Sequence, residues 1–207
     1  MDVKAAIDAN DVATIEQILA SDPQQANALV RWVDSREHLT HPLHYVCDRV
    51  FGQTLSSSHA VALVRALLAA GSDVNYGNGD PLNAAASLGA VEVAFLLLEA
   101  GARTDLLGPG GETALHWAAY IGAEELVRRL LAAGSPIEVK DENYDGTPLG
   151  WALYGWSESP VPGDQGHHPE VVLRLARAGA QVEPAWLDLK QVRSNRAVFQ
   201  ALGGKAS

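Results

Sequence analysis

Short runs of small apolar residues alternate along this chain with longer segments whose apolar positions recur at helical spacing. Ala84, Ala85 and Ala86, and again Ala118 and Ala119, form runs of the first kind. Val91, Val93, Ala94, Leu97 and Leu98 show the second pattern, a single stripe on an α-helix. The alternation predicts helix pairs: a thin first helix that neighbours can approach closely, then an amphipathic second one.

Each pair has a recurring opening and closing. The openings are His41-Pro42-Leu43-His44, Asp80-Pro81-Leu82-Asn83, Thr113-Ala114-Leu115-His116 and Thr147-Pro148-Leu149-Gly150. The closings end on Gly71, Gly101, Gly134 and Gly179, where a helix favours a left-handed C-terminal residue. The opening leucines are 39, 33 and 34 residues apart and the closing glycines 30, 33 and 45. Such a period is the signature of a repeat array, which sets the architecture before any single residue is weighed. Leucine to glycine is 19 residues in the two middle repeats, 28 in the first and 30 in the last. Insertions are therefore expected near 49–58 and 155–165, where Ser56-Ser57-Ser58 and Pro160-Val161-Pro162-Gly163 supply loop chemistry. At the ends, Ala6 to Leu19 reads as a leading helix pair turning at Asn10. Pro184 to Leu202 reads as a trailing pair split near Ser194-Asn195.

Thr113-Ala114-Leu115-His116-Trp117-Ala118-Ala119, followed by Gly122 and Leu130-Leu131-Ala132-Ala133-Gly134, resembles the ankyrin repeat, with its T-P-L-H-x-A motif and period of about 33. Thr147-Pro148-Leu149 keeps the motif and departs at Gly150, where the family has His; Asp80 and His41 stand where Thr is usual. The resemblance extends from Asp2 to Leu202. It implies an all-α ankyrin-repeat solenoid of stacked helix–turn–helix units with β-hairpin-like finger loops. The expected organisation is a single domain: a capping repeat at 1–35, repeats at 36–75, 76–106, 107–140 and 141–182, and a C-terminal cap at 183–207. Terminal caps are required because an end repeat otherwise exposes its core face.

Composition narrows the choice of partner. A formal net charge of −10 argues against nucleic acid or an anionic membrane, both of which call for a basic footprint. One cysteine, Cys47, allows no internal disulfide framework and fits a reducing compartment. The chain begins without a basic-then-apolar leader and holds no long apolar run, so a cytoplasmic monomer is expected. The Ala-rich composition points to a bacterial source.

In the ankyrin arrangement the residues after the T-P-L-H motif line a concave palm. The resemblance therefore places Tyr45, Trp117, Tyr120, Trp151, Tyr154 and Trp156 there, with Tyr144 on an adjoining finger. Trp and Tyr are enriched at binding hot spots because they bury much apolar area and keep a polar handle. A non-enzymatic module that binds a protein or peptide through this aromatic surface is the expectation. Glu138, Asp141, Glu142 and Asp145 crowd the same finger and suggest a basic element in the partner. The alternative is a small-molecule or catalytic pocket formed by the palm and the inserted loop near 155–168, with His116 and Asp164 as its chemistry. His38, His41, His44 and Cys47 carry zinc-compatible types at three-residue spacing. The repeat frame disperses them between finger, helix start and core, and His167-His168 is a weaker pair, so no metal or cofactor is expected.

Overall fold

The computed structural model describes residues 2–32, 38–158 and 167–205, which pack as two compact units, Met1–Arg103 and Thr104–Ser207. It is mostly helical, with one two-stranded ribbon among the described residues. No helix among these residues is long and apolar enough to cross a membrane.

In the first unit, α1 (Val3–Asp8) and α2 (Val12–Ser21) start on Asp2 and Asp11, whose carboxylates accept the backbone N–H groups of Ala5 and Thr14. Such caps satisfy donors that no intrahelical partner reaches. Asn10 makes the turn between them with φ 57°, as the sequence predicts. The antiparallel strands β1 (Val30–Arg31) and β2 (Leu39–Thr40) follow, then α3 (Pro42–Phe51), α4 (Ser57–Ala69), α5 (Tyr76–Ser87) and α6 (Val91–Glu99). The first helices α1, α3 and α5 pack in succession, as do the second helices α2, α4 and α6. Leu43, Leu63, Leu67, Leu82 and Leu97 fill the interior between the two rows.

Half of the stretch read as a first inserted loop is helix. Arg49 to Phe51 continue α3 and Ser57 already belongs to α4, which leaves 52–56 as the connection. Buried Leu55 pins that connection to the core, and the Ser56 hydroxyl accepts the His59 N–H to start α4.

The second unit holds α7 (Ala114–Tyr120), α8 (Glu124–Ala132), α9 (Pro148–Glu158), α10 (His168–Arg177), a 3-10 turn at Pro184–Asp188, α11 (Lys190–Ser194) and α12 (Arg196–Ala201). α9 lies against α7 and α10, and α10 against α8 and α12. The split predicted near Asn195 is present, with that residue's amide oxygen capping α12. Gly134 closes α8 at φ 83°, and the other three closing glycines share that left-handed conformation. Gly155 to Glu158 of the second inserted stretch extend α9; its remainder, including Pro160, Val161, Pro162, Gly163 and Asp164, lies outside the described residues.

Two glycines of α9 differ in what a side chain would meet there. At Gly155 a Cβ would run into the Tyr120 carbonyl and lie 3.0 Å from His168 Nε2. At Gly150 a Cβ would make ordinary contact with the Trp186 indole, 3.5 Å away. Gly155→Ala is expected to lower stability by about 1–3 kcal/mol through overpacking. Gly150→Ala should raise it by about 0.5–1 kcal/mol by reducing unfolded-chain entropy. Urea unfolding of the two variants checks the opposite signs.

Candidate functional site

Four of the seven aromatic residues singled out in the sequence come together in the second unit. Three-residue spacing puts Trp117 and Tyr120 on one face of α7, and Trp151 and Tyr154 on one face of α9. The Trp117 and Trp151 rings meet edge to face, with centroids 4.9 Å apart at 87°. Tyr120 bridges the helices, 5.9 Å from Trp151 at 76° and stacked on Tyr154 at 6.1 Å and 15°. Trp117 and Tyr120 close the set at 6.4 Å. Edge-to-face and stacked pairs at these separations each contribute about 0.5–1.5 kcal/mol beyond burial. The rings therefore brace one another into a fixed ladder.

The ladder remains accessible. Tyr154 is 59% exposed and the other three rings are half-buried. The Trp117 indole N–H and the Tyr120 and Tyr154 hydroxyls make no hydrogen bond to other described residues, so three polar handles stay open.

A buried carboxylate at the start of a surface turn holds the ladder in place. Asp141 is 3% exposed, and its Oδ1 accepts the backbone N–H groups of Asn143 and Tyr144 at 2.9 and 2.8 Å. Its Oδ2 accepts the Gly146 N–H at 3.0 Å and the Trp151 indole N–H at 2.9 Å. Burial alone would raise its pKa; the bonds from Trp151 and the backbone outweigh that and hold it below the usual carboxylate range. Gly146 leaves room for the indole, since a Cβ there would sit 3.0 Å from Trp151 Cδ1. The acidic finger is thus partly a structural device. Asp141 faces inward, Asp145 pairs with Lys140, and Glu138 accepts the Gln181 N–H, whereas Glu142 is exposed.

His116 is fully buried, and its edge meets Trp151 at 5.3 Å. Its Nδ1 accepts the Thr113 N–H at 3.0 Å, and its Nε2–H points to the carbonyls of Val139 and Gly146 at 3.1 and 3.2 Å. Burial lowers its pKa despite the pull of those carbonyls, so the ring is neutral and fully engaged. This takes His116 out of the pocket chemistry considered for it. His168 is buried as well; its Nε2–H donates to the Tyr120 carbonyl at 2.9 Å and ties the start of α10 to the end of α7.

Three of the seven residues stand apart. Tyr45 is fully buried in the first unit, where its hydroxyl donates to Asp8 Oδ1 at 2.6 Å and Lys4 lies over its ring. Because α1 covers that position, Tyr45 offers no surface. Tyr144, 81% exposed, projects from the turn that Asp141 closes. Trp156 is half-buried on α9, and neither ring pairs with another among the described residues. Cys47 is buried, with its Sγ–H directed at the Leu43 carbonyl and its thiol pKa pushed far up by burial. Among the described residues, no three His, Cys, Asp or Glu side chains are placed to hold a metal ion.

Sequence reasoning missed Asp141 as a support, Gly155, His168, and Trp186 over Gly150. Asp141 had a legible signal: an Asp opening a short turn that closes on Gly146.

The family model for the ankyrin repeat matches residues 110–142. That ankyrin repeat contains the Thr113–His116 opening, both α7 and α8, and Asp141, so half of the ladder and its support lie within it. No curated protein matches the chain.

Asp141→Ala removes the acceptor of four part-buried donors and should cost about 3 kcal/mol at neutral pH. The folded-state pKa of Asp141 is depressed, so its contribution is complete above about pH 4 and is lost as pH falls through the lower folded value. Urea unfolding should show the wild-type and Asp141→Ala stabilities converging in acid, with the Trp151 indole resonance shifted in the variant at every pH.

Proposed function

We propose that the ladder of Trp117, Trp151, Tyr120 and Tyr154 is the docking surface of a non-enzymatic, ankyrin-repeat interaction module whose partner is a protein or peptide. Ankyrin repeats generally mediate protein–protein interaction, and residues 110–142 carry one. The observation that carries the reading is the ladder itself. Four rings are fixed against one another and against a buried carboxylate, yet their faces and three polar handles remain open. Surface aromatics held in this way lose little freedom when a partner arrives, which favours binding. Glu142 is the exposed carboxylate left for a basic element of the partner, and Tyr144 and Trp156 are secondary contact candidates outside the ladder.

The rest of the chain is read as the same family. The caps at 1–35 and 183–207 and the repeats at 36–75, 76–106 and 141–182 form a single ankyrin-repeat domain with that at 107–140. Paired helices, like helices packed on like, and left-handed glycines at 71, 101, 134 and 179 support this. In this reading the protein acts as a monomer in the cytoplasm and needs no cofactor.

Trp117→Ala with Tyr154→Ala removes the two outer rings and leaves the Trp151–Asp141 bond in place. Hot-spot aromatics contribute about 2 kcal/mol or more each, so the double variant should bind its partner at least about 100-fold more weakly. Affinity capture from native extract should lose its retained protein while helical content and cooperative unfolding are kept. Undiminished capture would sink the assignment.

A further inference from the structure

The first unit contains a second, chemically different site. His44 and Asp48 share one face of α3 by their four-residue spacing, and His41 caps the start of that helix. The ribbon supplies Trp32, Leu39 and Thr40, while Tyr76, Gly77 and Asp80 close the other side. Together these residues line an open cleft of about 400 Å³, within the size range of small-ligand sites.

Its walls are aromatic. Trp32 is 47% exposed, yet its indole N–H is tied to Asp48 Oδ2 at 2.6 Å, so the ring stands fixed at the rim. Tyr76, also lining the cleft, stacks on the buried His41 at 4.6 Å and 19°. His41 accepts the Leu43 N–H at Nδ1 and donates from Nε2 to Asn27. Burial lowers its pKa to about 4 against the pull of Asp73 and Asp80, so it is an uncharged wall at neutral pH. The backbone is shaped to the same end. Gly77, Asn78 and Gly79 are all left-handed, at φ 55°, 60° and 86°. This is an uncommon run, which Gly tolerates freely and Asn tolerates better than most. The turn takes the place of a longer finger and lets Tyr76 reach His41 while Asp80, four residues on, reaches His44.

The floor has an unbalanced charge. His44 Nδ1–H donates to Asp80 Oδ2 at 2.8 Å, and its Nε2 lies 3.7 Å from Asp48 Oδ1. No Lys or Arg among the described residues pairs with either carboxylate. Among the described residues, these two partly buried carboxylates therefore share one imidazole and have no other counter-charge. Thr40, on the same cleft, keeps a buried hydroxyl oxygen with no hydrogen-bond partner among the described residues.

We propose that this cleft binds an alkylammonium or guanidinium group, seated between Trp32 and Tyr76 with its charge met by Asp48 and Asp80. Aromatic faces attract cations through their quadrupoles, and hydrogen bonds from a cation to a carboxylate are among the strongest available. An anion would face two carboxylates in a chain of net charge −10. A neutral apolar ligand would desolvate the unpaired carboxylate without compensating it. The cation could be free or the side chain of a Lys or Arg in a polypeptide; the recognition chemistry is the same. The site is independent of the ladder in the second unit, so neither reading falls with the other.

The test uses the full ¹⁵N-labelled chain and follows the Trp32 indole N–H resonance, identified by its loss in Trp32→Phe. Ethylguanidinium, ethylammonium, propionate and an arginine-containing tetrapeptide are titrated separately at constant ionic strength. The expected result is a saturable shift with the cations, none with propionate, and at least a tenfold loss of affinity in Asp80→Asn. Asp48→Asn is the second variant should Asp80→Asn unfold. Saturation by ethylguanidinium alone identifies a free cation as sufficient; saturation only by the peptide assigns the cation to a polypeptide side chain. A linear response to every cation, an equal response to propionate, or unchanged affinity in a folded carboxylate variant overturns the proposal.

Discussion

One buried carboxylate organises the second unit. Asp141 accepts three backbone N–H groups of its own turn and the indole N–H of Trp151. Loop closure and placement of the central ring are thereby the same event. The neutral His116 completes the arrangement from the α7 side by donating to the Val139 and Gly146 carbonyls and meeting the Trp151 ring edge on. A buried ionised group is costly unless hydrogen bonds satisfy it, and this one is satisfied on both oxygens. Trp117, Tyr120 and Tyr154 then pack outward from Trp151, and their exposed faces are a consequence of what lies beneath.

Much of this was legible in the chain. Alanine runs, amphipathic stripes and closing glycines gave the helix pairs; Asn10 and Asn195 marked the turns of the end pairs. The same repeat frame placed Trp117, Tyr120, Trp151 and Tyr154 on adjacent helices. What escaped depended on tertiary neighbours. Tyr45 occupies the motif position equivalent to Trp117, but α1 lies over it and Asp8 takes its hydroxyl. Arg49 to Phe51 and Gly155 to Glu158 looked like loop because the period was exceeded there, yet their helices simply run on. Asp141 looked like solvated charge because composition does not reveal which carboxylate of a cluster turns inward.

The two candidate sites use aromatic rings differently. In the second unit the rings brace one another and the carboxylate lies under them, spent on structure. In the first unit Trp32 and Tyr76 stand on either side of carboxylates that share a single imidazole. The first arrangement offers extended apolar area with polar handles, suited to a polypeptide surface. The second offers a confined, negatively charged slot.

If the turn closed by Asp141 builds the ladder before any partner arrives, Trp151 must already be immobile in the free protein. Side-chain ¹⁵N relaxation of its indole N–H tests this directly. An order parameter near about 0.85, the value of rigid backbone, is expected; a value below about 0.6, typical of flexible groups, would contradict a preformed surface.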